Sequence, residues 1–143
     1  MAVVRSVARP LLASAFLTSG VQTIQHPEML APVAAPVALA IARRVPWLPR
    51  DARALVRLNG AVHVGAGTLL ALGRLPRLSA LALAASLVPT TLAGHAYWKE
   101  TDPAKRAQHR IGFFANASIL GGLLIAAADR PRRRERTRTG ARG

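Results

Sequence analysis

The 143-residue sequence contains no cysteine. That excludes a disulfide scaffold, a thiolate zinc site, an iron–sulfur cluster held by this chain and a redox thiol. It says nothing about the compartment. Aromatic residues make up 4% of the chain, and no basic stripe is interleaved with them as a strand-binding groove requires. Acidic residues number six against twenty basic ones, for a net charge of +14. Such an imbalance invites a nucleic-acid reading, but the distribution speaks against it. Seven of the twenty basic residues follow Asp129, in RPRRRERTRTGARG, and the rest stand at the ends of apolar runs. Residues 130–143 read as a disordered basic tail that favours anionic lipid headgroups, with nucleic acid the weaker alternative.

What the chain has in quantity is Ala, Leu and Val. Apolar residues make up 51% of it, and mean hydropathy is +0.25 despite the twenty basic side chains. Charge swept to the edges of apolar blocks is the pattern of a membrane protein. The first block, VARPLLASAFLTSGVQTI (7–24, in an expected span of about 7–26), follows a basic start, as a signal peptide would. It is long, however, and runs into Gln25-His26-Pro27 without a small-x-small cleavage site. It reads as a retained membrane helix with Pro10 in its first turn. Further spans are expected at 53–73, 78–98 and 108–128.

Between the first two spans lies PEMLAPVAAPVALAIARRVPWLPRD, whose five prolines are expected to break any long helix. Its apolar centre is too short to cross roughly 30 Å of hydrocarbon. An interfacial or re-entrant helix from about Pro36 to Arg44 is expected there, with Trp47 at headgroup depth and Asp51 capping the next helix. Pro89 should kink the third span and free a carbonyl near Ala85 for Thr90 or Thr91. Asp102 and Pro103 are the N-cap and first residue of the last helix. Four spans put both termini on one side. If that side is the cytoplasm it carries eleven basic residues against nine opposite, which favours cytoplasmic termini through the tail. Small residues four apart, Ala61/Gly65, Gly67/Ala71, Ala80/Ala84, Ala117/Gly121 and Ser118/Gly122, suit close helix packing.

Polar residues recur at helical spacing near one end of each span: Gln22 with His26, Asn59 with His63, Thr91 with His95, and His109 with Asn116. Up-and-down topology brings those ends to one membrane face. The opposite halves hold little polar besides Ser14, Thr18, Thr68, Ser79 and Ser86. Buried polar groups in lipid are costly without partners and are functional candidates by default. The alternative is interhelical hydrogen bonding for Asn59 and Asn116, and interfacial anchoring for Tyr97 and Trp98. A nucleophile–base triad and a His-x-x-x-His metal pair are both missing from the pattern. Two histidines on different helices could ligate haem, though nothing in the spacing demands it. A neutral histidine beside Tyr and Trp suits a quinone head, and other polar ligands equally.

RPLLASAFLTSGVQTIQHP, NGAVHVGAGTLLALGRLPRLSALALAASLVPTTLAGHAYW and RIGFFANASILGGLLIAAAD together resemble the DoxX family of small bacterial membrane proteins, over about Arg9 to Asp129. The resemblance implies a four-span architecture in a bacterial plasma membrane. It also implies an association with redox chemistry, since the family is named for a membrane subunit of a thiosulfate:quinone oxidoreductase. Where many members carry Lys after the first-helix Gly, this chain has Val21-Gln22-Thr23.

The expectation is therefore an all-α integral membrane four-helix bundle, residues 1–129, with a short interfacial or re-entrant helix after the first span. Its function would be that of a redox-associated subunit, not an enzyme on its own. It would bind a quinone-like or other polar-headed molecule at the outer helix ends, among Gln22, Asn59, His63, Thr91, His95, Tyr97, Trp98 and Asn116. The partners expected are membrane lipids, a soluble redox protein and further copies of the chain. The alternatives are a small-molecule transporter or channel, which requires a polar path to the other side, and a non-catalytic scaffold.

Overall fold

The computed structural model describes residues 2–129; the expected basic tail lies outside them. The described residues form five α-helices: α1 (Ala2–Gln25), α2 (Pro27–Arg44), α3 (Ala52–Ala71), α4 (Pro76–Gly94) and α5 (Pro103–Ala128). A single 3₁₀ turn, Tyr97–Lys99, links the last two. The described residues contain no strand.

Local chemistry sets most boundaries. The Asp51 carboxylate accepts from the Ala54 amide at 2.8 Å, and that of Asp102 from Ala104 and Lys105 at 2.8 and 3.0 Å. Each thus satisfies N–H groups that a helix start leaves unpaired. The other end of α3 closes at Gly73, where φ is +66°. There the Arg74 amide bonds the Leu69 carbonyl and the Gly73 amide that of Leu70, a Schellman closure that needs a left-handed residue. Leu75, at φ 49°, then turns the chain into Pro76.

Three sequence expectations give way here. Pro10 is inside α1 rather than in its first turn, because the helix already runs from Ala2. The five prolines do not confine the second helix to Pro36–Arg44. It starts at Pro27, with Pro32 and Pro36 inside it. Those two residues are four apart on the exposed side, so the bonds they forfeit lie on one outer stripe and the opposite face stays continuous. Near Pro89, Thr90 and Thr91 bond the carbonyls of Ser86 and Leu87, each four residues back, and not that of Ala85.

α1, α3, α4 and α5 form an up-and-down bundle. Gly20 meets Gly60, and Gly67 meets Leu17, so α1 runs antiparallel to α3. Ser86 of α4 faces Asn59 of α3, and Thr91 of α4 faces Asn116 of α5. The bundle closes where Arg5 reaches the Asp129 carboxylate at 2.7 Å. Arg9 stands 3.7 Å from the same carboxylate, and Arg77 Nε donates to the Asp129 carbonyl at 3.2 Å. Toward that end lies the core, with Ala13, Phe16, Leu70, Leu83 and Leu123 all but inaccessible. The other end is covered by α2, which packs on α3 and α4.

Of the expected small-residue pairs, Ala80/Ala84 is buried in this core and Gly67 lies against α1. Ala61 and Gly65 are exposed, and a Cβ at Gly65 or Gly121 would meet nothing. The close helix contact lies instead at Gly20 and Gly60. A Cβ on Gly20 would stand 2.9 Å from the Gly60 carbonyl oxygen.

Among the described residues, three segments are long and apolar enough to cross a membrane: Ala52–Ala71, Pro76–Lys99 and Pro103–Ala128. α1 has the length, at 24 residues, but Arg9, Ser14, Thr18, Ser19 and Gln22 dilute its apolar character. Large apolar side chains cover the outside, among them Ile111 at 71% and Ile125 at 74% exposed. A soluble monomer rarely exposes so much contiguous apolar surface, whereas lipid solvates it. The chain is an all-α membrane helical bundle.

Candidate functional site

Between α2 and the bundle lies a cavity of about 590 Å³. One wall is a single face of α2, carrying Leu30, Val33, Ala34, Val37, Ala38 and Ile41. The spacing i, i+3, i+4, i+7, i+8, i+11 keeps these residues on one side of the helix. Trp47 stands at the rim. The facing wall belongs to α1, α3 and α4, and all the cavity's polar side chains other than Trp47 sit there: Ser19, Thr23, Asn59, His63, Ser86 and Thr90.

These side chains form one connected group. His63, 3% exposed, is its centre. Its Nε2 stands 2.5 Å from Ser86 Oγ and its Nδ1 3.3 Å from Ser19 Oγ. Ser86 donates to Asn59 Oδ1 at 3.0 Å, and Asn59 Nδ2 donates to Thr90 Oγ1 at 3.4 Å. The Phe16 ring packs against the imidazole edge to face, 5.2 Å between centroids. Three consecutive bundle helices thus meet at one histidine in an otherwise apolar environment. The Gly20–Gly60 approach makes this possible, since a Cβ on Gly20 would stand 2.8 Å from the His63 Cβ. Lysine, arginine and carboxylate side chains do not line the cavity.

The expected constellation divides into separate groups. Asn59 and His63 line the cavity. Thr91 and Asn116 do not; they bond each other at 3.1 Å in the α4–α5 interface, beside a hollow of about 130 Å³. Gln22 is exposed and turned away from both groups, and no side-chain partner is found for it among the described residues. His95 ends α4 and presses on Gly112, where a Cβ would stand 2.5 Å from the imidazole. Its Nδ1 is buried with no hydrogen-bond partner among the described residues, and its ring lies edge to face with His109, 6.0 Å between centroids. Tyr97 and Trp98 stack on one another and on Phe113, away from the cavity.

Ser19, Thr23, Ser86 and Thr90 are missing from the sequence expectation. The signal was there: Ser19/Thr23 and Ser86/Thr90 are each four apart, like Asn59/His63. On α4, Thr90 and Thr91 stand on neighbouring stripes. Choosing Thr91, because it pairs with His95, selected the face turned to α5.

Among the described residues, no group of three His, Cys, Asp or Glu side chains could hold a metal ion. Haem held by two histidines does not fit either. His63 is the one histidine on the cavity, and the His95 ring packs edge to face on His109 and against Gly112.

A protein-family model, DoxX, matches residues 4–96. No curated protein and no solved structure matches the chain. The matched region exceeds half of the chain and holds every cavity-lining residue. α5 lies beyond it, so the resemblance expected for Arg110–Asp129 is not part of the match. The chain belongs to the DoxX family and is a small integral membrane protein.

Proposed function

We propose, from this membership as premise, that the protein is a redox-associated membrane subunit. It binds a quinone-like molecule, an apolar body with one polar head, in the cavity between α2 and the bundle. The observation that carries this reading is the division of the cavity. The α2 wall is apolar, while the other wall holds the His63–Ser86–Asn59 group, so a ligand can bury its body and still satisfy its head. A volume of about 590 Å³ falls within the roughly 300–1,000 Å³ of small-molecule sites. The chain has no cysteine and no metal-ligating cluster among the described residues, so electrons reach the ligand from a partner protein. The packed core around Leu70, Leu83 and Leu123 counts against transport, because it leaves no polar path behind His63. A scaffold has no need of a shaped cavity.

In this reading α1, α3, α4 and α5 each cross the plasma membrane of a bacterium, and both termini are cytoplasmic. The clustering of Arg5, Arg9 and Arg77 about Asp129, the residue that precedes the seven tail arginines in sequence, supports that orientation. The cavity then belongs to the outward half.

A short-tailed benzoquinone titrated into the detergent-purified protein tests the reading. A saturable rise in melting temperature is expected in the parent and not in His63→Leu. Equal shifts in the two proteins would show that the quinone acts on detergent or on exposed surface.

A further inference from the structure

We propose that the cavity selects a neutral head group that accepts a hydrogen bond, and that the selecting donor is the second N–H of Asn59. This rests on the reading of the cavity as a ligand site. It follows from assigning each proton on the polar wall.

Thr90 Oγ1 stands 2.8 Å from the Ser86 carbonyl. A carbonyl can only accept, so the Thr90 proton is committed there. Thr90 Oγ1 must then accept from Asn59, which puts Nδ2 of Asn59 toward Thr90 and Oδ1 toward Ser86. The Ser86 proton goes to Oδ1. Ser86 Oγ has no second proton for His63, so the hydrogen bond at Nε2 is donated by the imidazole. His63 is the Nε2–H tautomer and its Nδ1 is a lone pair, facing the Ser19 hydroxyl. Ser19 has its proton on that lone pair or on the Phe16 carbonyl, and Thr23 has its own on the Ser19 carbonyl at 2.7 Å.

Every hydroxyl on the cavity wall is therefore engaged with a protein acceptor. The Trp47 indole N–H stands at the rim, where the side chain is 79% exposed and open to the surroundings, and one N–H is left inside it. It is the second amide hydrogen of Asn59, for which no partner is found among the described residues. A ligand oxygen can take it. A cationic head finds no carboxylate, and an anionic head no lysine or arginine, because neither lines the cavity; burying either charge unpaired is costly. A ketone, quinone or ester oxygen fits. A fatty acid or an amine does not.

The test uses the full chain in lipid nanodiscs with Trp98→Phe, which leaves Trp47, one of two tryptophans, as the reporter. The quenching probes are 12-bromo-2-dodecanone, 1-bromododecane, 12-bromododecanoate and 12-bromododecylammonium. The ketone should reach half-saturation at about tenfold lower concentration than the bromoalkane, the effect of one added hydrogen bond. Both ions should be weaker than the ketone. Asn59→Leu removes both N–H groups without adding a charge or a new donor, so the ketone should lose its advantage. The four-probe series on the parent stands alone if that variant does not fold. Equal saturation by ketone and alkane, or tightest binding of either ion, overturns this inference and leaves the cavity reading intact. No saturable quenching by any probe overturns both.

Discussion

Nε2 of His63 and Oγ of Ser86 stand 2.5 Å apart across the α3–α4 interface. His63 is the most deeply placed polar side chain on α3, and Ser86 lies in a stretch of α4 otherwise made of Ala, Leu and Val. Ser86 also donates to Asn59 and His63 also faces Ser19, but Ser86 is the one partner found for Nε2 among the described residues, so the pair fixes the register of two helices as well as one wall of the cavity.

The pair should therefore be energetically coupled. His63→Leu and Ser86→Ala should each destabilise the protein by about 1–3 kcal/mol, the cost of leaving a buried polar partner unmade. The double variant should cost less than the sum. Denaturant unfolding in mixed micelles reads both; strict additivity would mean that the two side chains do not share a hydrogen bond.

Glycines should differ by position and not by type. Gly20→Ala puts a Cβ 2.8 Å from His63 Cβ and 2.9 Å from the Gly60 carbonyl oxygen, so overpacking should cost about 1–3 kcal/mol. Gly65→Ala meets nothing and should be neutral or stabilise by up to about 1 kcal/mol through helix propensity. Melting temperatures of the two variants give the comparison directly. An equal loss in both would remove the α1–α3 contact from the account.

The two polar groups should separate functionally. Asn116→Leu breaks the bond to Thr91 in the α4–α5 interface and should leave saturable quinone binding unchanged, while Asn59→Leu removes it. The same thermal-shift titration decides. Loss of binding in Asn116→Leu would restore the single constellation that the sequence suggested.

Asp129→Asn should loosen the closed end of the bundle only slightly. The Arg5 and Asp129 side chains are 38% and 25% exposed, and ion pairs of that kind contribute about 1 kcal/mol or less. The difference from the parent should shrink as salt is raised. A melting series over ionic strength checks it, with Glu28→Gln, which removes an exposed pairing with His26, as the neutral control.

Much of the fold was legible in the sequence because its signals are local. Asp51 and Asp102 announce helix starts, and the apolar blocks between them announce helices. Proline is a divided signal. Pro103 opens α5 as its place after Asp102 predicts. The prolines of α2 predict breaks, but Pro27 starts the helix and Pro32 and Pro36 share its exposed stripe. Sequence spacing carries no information about which stripe faces outward.

The site was half legible for the same reason. His63 and Asn59 stand out in a long apolar run, and both reach the cavity. Thr91, His95 and Asn116 stand out equally but meet in the α4–α5 interface, and a rotation of one residue along α4 separates the two faces. Serine drew little notice because Ser19 and Ser86 look like filler in Ala-rich helices. The role of Ser19 depends on the approach of α1 to α3 at Gly20 and Gly60, a contact between residues forty positions apart, and that of Ser86 on the packing of α4 against α3.

The most direct measurement is an organic extraction of the purified protein, analysed by mass spectrometry, for the parent and for Ala38→Trp. Ala38 lines the cavity from α2, so the larger side chain fills the space and leaves the His63 group in place. The expected result is one amphipathic molecule with a neutral carbonyl head in the parent extract, absent from an equally stable variant. The same molecule at the same level in both extracts would contradict the cavity as the site of binding.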